Sequence, residues 1–142
     1  MKPSSLFSYA LRALVDLALH QASGPVTVAR IARRQEIPAQ CLEQVFNRLR
    51  REGLVMAERG PRGGYRLSRH PSEIRANEIF ESLAPKRETF RRLPPSDPAV
   101  GLWHQVEEAV QTTLEATTLE TLVNQVRDKV AIPMTHRFTF HI

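Results

Sequence analysis

Residues 39–68 read AQCLEQVFNRLRREGLVMAERGPRGGYRLS, and the fold turns on this stretch. Between Ala39 and Arg51, Leu42, Val45, Phe46 and Leu49 fall at i, i+3, i+4 and i+7, the spacing of one buried helical stripe. The opposite face carries Gln40, Glu43, Gln44, Asn47, Arg48 and Arg51. Gly53 follows as a C-terminal cap. Leu54 to Ser68 then reads as two short strands around the tip Arg59-Gly60-Pro61-Arg62-Gly63-Gly64. Glycine suits such a tip because positive φ and close approach to phosphates exclude a Cβ. A helix followed at once by a basic, glycine-rich hairpin is the pattern of a winged helix-turn-helix. Its helix enters a DNA major groove and its wing reaches the backbone or the minor groove. The polar face has the chemistry for this: amides suit adenine, carboxylates accept from cytosine, and arginine suits guanine or phosphate. Taken separately, a polar helix face is ordinary solvated surface and a hairpin is ordinary surface structure. The two arginines bracketing the tip favour the wing.

Upstream, residues 4–21 place Leu6, Ala10, Leu14, Leu17 and Ala18 at helical spacing, broadened by Phe7, Leu11 and Val15. This predicts a long first helix with Arg12, Asp16 and His20 toward its wetter side. Ser23-Gly24-Pro25 ends it. Thr27 caps a short second helix with Val28, Ile31 and Ala32 inward and Arg30, Arg33 and Arg34 outward. Gln35-Glu36-Ile37 make the turn, and Pro38 marks the start of the third helix. Downstream, Ile79, Phe80 and Leu83 form the inner face of another short helix. Residues 84–98 hold four prolines and four basic residues and read as a loop, with Ser96 or Asp97 as a cap for the stretch after it. Residues 99–116 carry Leu102, Val106, Ala109, Val110, Thr113 and Leu114 on one stripe. Leu119, Leu122, Val123 and Val126 predict one more short helix, and the tail from Pro133 shows no period.

The fold class is therefore mainly α with a small β-hairpin wing. Residues 1–83 form the winged helix-turn-helix domain, 84–98 a loop, 99–127 dimerisation helices and 128–142 a tail. Leu102, Val106, Ala109, Val110 and Leu114 make more apolar stripe than a self-contained winged domain needs, which predicts a two-fold dimer.

Charge agrees with this division. The chain of 142 residues carries a net charge of +5. Residues 1–70 hold 12 Lys/Arg and 5 Asp/Glu, a balance of +7, and residues 71–142 hold 8 and 10, a balance of −2. Basic charge thus lies on the half with the reading unit, as phosphate binding requires. No apolar run approaches the roughly 20 residues that span a bilayer, and the N-terminus lacks a signal-peptide core. The expected location is cytoplasmic. A single cysteine, Cys41, excludes an intramolecular disulfide and a multi-cysteine metal site within one chain.

Tyr9-Ala10-Leu11, Ile31-Ala32, Leu42-Glu43-Gln44-Val45-Phe46, Leu49-Arg50, Gly53-Leu54-Val55 and above all Arg59-Gly60-Pro61-x-Gly63-Gly64-Tyr65 resemble the Rrf2 family of bacterial transcription regulators. The resemblance resumes at Leu102-Trp103 and at Thr118-Leu119-x-x-Leu122-Val123. It implies a dimeric winged-helix regulator on a palindromic operator, with Glu43 and Gln44 facing bases and Arg59 entering the minor groove. The candidate DNA contacts are then Thr27, Gln40, Cys41, Glu43, Gln44, Asn47, Arg48, Arg51, Arg59, Gly60, Arg62, Gly63 and Gly64. This chain departs from the family in having Cys41 where an aromatic or polar side chain is common, and Pro38 in place of a serine. Cluster-binding members hold three cysteines in the loop before the long helix. Residues 84–98 contain neither cysteine nor histidine, so neither a metal nor another cofactor is expected.

No nucleophile–base pairing motif stands out, and the tip glycines lie between strands, not before a helix, so they are not a phosphate-binding loop of the P-loop kind. An enzyme is not expected. The expected function is a sequence-specific DNA-binding regulator, a repressor, with a small molecule or a protein as effector. The alternative from a different class is a protein-interaction module that docks a metabolic enzyme through its long helix. Cys41, in the first turn of the reading helix, has two readings. Helix-end amides favour a thiolate open to oxidation, which would make it a redox switch. Free cysteines are also commonly small, packed and inert.

Overall fold

The computed structural model describes residues 5–83 and 93–131, the side chains of Val130 and Ala131 excepted. The expected loop at 84–98 lies outside it up to residue 92, as does the tail beyond residue 131.

The chain runs α1 (Ser5–His20), α2 (Val28–Gln35), α3 (Ala39–Arg51), β1 (Val55–Glu58), β2 (Gly64–Leu67), α4 (Ala76–Leu83), α5 (Pro98–Ala116) and α6 (Leu119–Ala131). Single 3-10 turns stand at Gln21–Ser23 and Pro71–Glu73. Thr27 caps α2 as the sequence predicts: its Oγ1 accepts from the Arg30 amide at 3.2 Å. Pro38 precedes α3 as its N-cap, and α3 ends in a Schellman turn. Gly53, at φ 75°, donates to the Arg50 carbonyl, and the Leu54 amide donates to that of Leu49. The chain thereby reverses within three residues and enters the wing.

The wing is a two-stranded antiparallel hairpin with Val55 opposite Leu67 and Glu58 opposite Gly64. Val26 extends it by one bridge, exchanging backbone bonds with Tyr65 at 3.0 and 2.7 Å. The segment before α2 is thus sewn to the wing after α3. Arg66 reinforces this, donating to Glu58 Oε1 at 2.6 Å and to the Gln21 carbonyl at 3.2 Å.

One core serves the whole unit. Ala10, Ala13, Leu14 and Leu17 of α1, Ile31 of α2, and Leu42, Val45, Phe46 and Leu49 of α3 meet Leu54, Val55, Ile74 and Ile79 there. Each buried leucine or isoleucine contributes about 1.5–3 kcal/mol before entropy. Phe46 stacks at a tilt on Tyr65 of β2, centroids 4.7 Å apart, and this contact keys the wing to α3. α6, grouped with α5 in the sequence reading as a dimerisation element, sends Leu119 and Val123 into this same core. The Ala76 amide donates to the Thr117 carbonyl and that of Leu119 to the Ile74 carbonyl, fastening the α5–α6 junction to the start of α4.

Two expectations need correction. Asp16 does not face water; it is 2% exposed. Arg34 does not point away from the body; its Nη2 donates to Asp16 Oδ1 at 2.6 Å and its Nε to Oδ2 at 3.0 Å, while Gln35 Nε2 donates to Oδ2 at 2.9 Å. The position of Asp16 on α1 sends it under the end of α2, where those two side chains enclose it. α5 also differs from a core helix. None of its 19 residues is buried, and Leu102 is 64% exposed. No helix among the described residues is long and apolar enough to cross a membrane.

Candidate nucleic-acid interface

α3 is amphipathic, so burial of Leu42, Val45, Phe46 and Leu49 turns its other face outward. Gln40, Glu43, Gln44, Asn47, Arg48 and Arg51 are all exposed. Gln40, Gln44, Asn47 and Arg51 follow at i, i+4, i+7 and i+11, so they share one line along the helix. The line offers amide donors and acceptors first and a cation in the last turn. Arg50 is exposed beside it. Arg48 is the exception: its Nη1 donates to the Leu83 carbonyl at the end of α4, 3.2 Å away. With five N–H donors it retains capacity for a phosphate.

The wing tip presents Arg59, Gly60 and Arg62 to solvent. Gly60 adopts φ 117° with open space around its missing Cβ, as a freely exposed turn glycine does. Gly64 has the positive φ that the sequence suggests, at 153°, and both Gly63 and Gly64 are required for a further reason. A Cβ on Gly64 would stand 2.6 Å from the Val26 backbone, and one on Gly63 would stand 2.4 Å from the Glu58 carbonyl oxygen. Both are excluded by the protein's own chain, before any phosphate is considered.

Thr27 is half-buried with its hydroxyl occupied by the α2 cap, and the exposed Arg30 and Arg33 add charge on that helix. Cys41 is half-buried and packs against the core, with its amide bonded to the Pro38 carbonyl. Its surroundings match those of a small packed side chain.

The sequence gives no sign of the residues that hold this interface in place. Asp16, Arg34 and Gln35 lock the end of α2, and hence the turn into α3, onto α1. Burial by itself raises the Asp16 carboxyl. The hydrogen bonds from Arg34 and Gln35, with the charges of Arg34 and His20, outweigh it and hold the group below the ordinary carboxylate range. Arg34 is correspondingly raised, chiefly by its bond to Asp16. Gln21 supports the wing, accepting from the Leu67 amide through Oε1 at 2.9 Å. Glu78 pairs with Arg69 at 2.7 Å and accepts from the Arg75 amide, fixing the start of α4. Among the described residues no group of three or more His, Cys, Asp or Glu side chains is placed to hold a metal ion.

Comparison with known proteins agrees with this geometry. The profile of the Rrf2 family, described as iron-dependent transcriptional regulator, matches residues 4–125. The chain is 39% identical to the HTH-type transcriptional regulator IscR of Cereibacter sphaeroides, across 96% of this chain and 97% of that protein. It is 37% identical to IscR of Serratia proteamaculans, across 87% of this chain and 80% of that one. Among solved structures it is similar to IscR of T. potens, with a TM-score of 0.78 at 31% identity, covering 89% of this chain and 88% of that chain. It is also similar to CymR, the global cysteine regulator of B. subtilis, with a TM-score of 0.75 at 33% identity, covering 88% and 98%. These relatives are regulators, not enzymes. The protein is a DNA-binding transcription regulator with a winged-helix fold, and it belongs to the Rrf2 family.

Proposed function

We propose that this regulator is a repressor that binds a palindromic operator as a homodimer. The observation that carries the reading is the exposed line Gln40, Gln44, Asn47 and Arg51 on α3, flanked by Arg59 and Arg62 on a wing tied to the same core. Glu43 and Gln44 read base edges, Arg59 enters the minor groove, and Arg62 with Gly60, Gly63 and Gly64 follows the backbone. Thr27, Cys41 and Arg48 stand at the margin of that footprint. Residues 1–83 supply the reading unit, and within 99–127 the pairing surface is that of α5, where Leu102, Val106, Ala109, Val110 and Leu114 meet their counterparts. The exposure of Leu102 supports this, since apolar surface of that size on a helix with no buried residue is stabilised by a second copy. A two-fold dimer sets its reading helices roughly 34–36 Å apart, or a multiple of that, and so favours a palindrome.

The residues of this chain do not fit an iron–sulfur cluster. Cluster ligation uses thiolates, commonly four. The chain has one, Cys41, on α3 and packed against the core, and residues 84–98 contain neither cysteine nor histidine. The signal is then of another kind: a small molecule, a protein, or oxidation of Cys41, against which the packing of that side chain speaks.

Genome-wide mapping of bound DNA, followed by fluorescence anisotropy on the recovered site, tests the reading. Specific binding that weakens steeply with salt supports it. Absence of any enriched palindrome, or binding indifferent to salt, would instead favour a protein-docking module.

A further inference from the structure

Between α1 and α6, against the end of α2, lies a cleft of about 220 Å³. Leu11, Val15 and Leu19 form one wall, and Leu122 and Val126 the other. Both sets recur at helical spacing, so two apolar rows face each other across open space. Val126 remains 39% exposed there, on a helix otherwise docked to the core through Leu119 and Val123. Two cations, Arg12 and Lys129, stand among the lining side chains. The one carboxylate at the border, Asp16, is already bound by Arg34 and Gln35. The cleft thus joins an apolar floor to positive charge that no lining carboxylate is left to neutralise.

We propose that this cleft binds a small carboxylate with a short apolar body. Its carboxylate sits between Arg12 and Lys129, and its carbons lie on Leu11, Val15, Leu122 and Val126. The cleft has room for a small acid of about five carbons, and isovalerate is the probe chosen on that scale. The place of Arg12 gives the ligand a route to the DNA-reading helix. Arg12 also donates to the backbone carbonyl of Gln35, the last residue of α2. Beyond Gln35 the chain turns through Glu36, at φ 55°, into α3. A carboxylate that engages Arg12 competes with the carbonyl at this turn and loosens α3 relative to α1. The ligand is then an effector that lowers operator affinity. That second step rests on the operator-binding function proposed above; occupation of the cleft does not.

The test titrates isovalerate into the isotope-labelled full chain without DNA and follows amide NMR shifts, with 3-methylbutan-1-ol as the uncharged counterpart. The expected result is saturable shifts centred on residues 11–19 and 122–129. Isovalerate should bind Lys129→Gln about five-fold more weakly, the worth of one partly exposed ion pair, and the alcohol, which loses both pairs, should bind the unmutated chain more weakly still. Lys129 is exposed, so the variant should keep the native melting temperature. No saturable shift by about 10 mM, where millimolar affinity registers, would overturn the site. So would shifts centred elsewhere, or equal binding of the alcohol. A second arm measures operator affinity with and without isovalerate. Loss of affinity in the unmutated chain, needing about five-fold more isovalerate in Lys129→Gln, is the expected result. Cleft binding with unchanged operator affinity would overturn the coupling. A chain that binds isovalerate but no operator would refute the function and leave the site standing.

Discussion

Arg34→Met and Asp16→Asn should destabilise the protein unequally, although each removes one half of the same ion pair. Asp16 is 2% exposed, whereas the Arg34 side chain is 35% exposed. Removing Arg34 strands a buried carboxylate whose remaining side-chain donor is Gln35 at 2.9 Å, with His20 alongside at 3.4 Å. Breaking a buried pair in this way costs about 3–5 kcal/mol, and Gln35 places this case near 3. Asp16→Asn leaves an amide that still accepts a bond and a guanidinium that reaches water, a loss of about 1–2 kcal/mol. With about 2.1 cal/mol/K of unfolding entropy per residue, Arg34→Met should lower the melting temperature by roughly 10 °C at fixed protein concentration. The pH dependence has a definite sign. The Asp16 carboxyl is held below its ordinary value, so the stability it contributes is complete above about pH 4 and is lost as pH falls through the folded value. In Arg34→Met, burial is less opposed and the carboxyl rises, so the deficit is largest at neutral pH and narrows as pH falls toward about 4. Urea unfolding of the three proteins at about pH 7 and pH 4.5 measures this. Equal losses from the two substitutions, or a deficit that does not change with pH, would refute the reasoning.

The other predictions concern the wing, the reading face, the pairing helix and the thiol. Gly64→Ala should cost roughly 3 kcal/mol or more, because its Cβ meets the Val26 backbone, while Gly60→Ala, in open space, should cost about 1 kcal/mol; differential scanning calorimetry separates them. On operator DNA, Gln44→Ala should relax preference at one base pair by about 1–3 kcal/mol. Arg51→Ala should weaken all sequences alike and flatten the salt slope, and Arg59→Ala should relax an A·T-rich preference; three uniform effects would make the base-reading assignment wrong. Leu102→Glu, on an exposed side chain, should yield a folded monomer by light scattering that no longer holds the operator. Peroxide should leave operator affinity the same in the unmutated chain and in Cys41→Ser, as expected of a packed thiol; loss in the unmutated chain with protection by the serine would make Cys41 the sensor.

What the sequence revealed was whatever is local in the chain. The stripe Leu42, Val45, Phe46 and Leu49 spans two turns, so its period alone gives the buried face of α3 and, by exclusion, the exposed one. The wing was legible because Gly53 and the tip glycines punctuate a short run. Asp16 was not, because its partner Arg34 is 18 residues away and on α1 alone an acid beside Arg12 and His20 reads as surface. α6 shows the same limit. Its Leu119, Leu122, Val123 and Val126 announce an amphipathic helix, but periodicity does not say against what. Leu119 and Val123 meet the winged core, and Val126 is left over.

Arg48 shows how far a helical face serves as a guide to chemistry. By position it belongs with Gln44, Asn47 and Arg51, and a face-based reading gives all four the same role. In the structure its guanidinium turns instead to the last carbonyl of α4, a contact between residues 35 apart in sequence. The carbonyls in the last turn of a helix lack intrahelical partners and carry the negative end of its dipole, so a cation is well placed there. Arg48 therefore braces the reading helix against α4, where residues 84–98 begin, and any phosphate contact it makes comes second. Gln44 and Asn47 have no such competing acceptor among the contacts of the described residues, and their amides remain available to bases. If Gln44 and Asn47 read bases as proposed, the division between residues that hold α3 and residues that read with it runs across one exposed face, and only the fold of the remaining chain draws it.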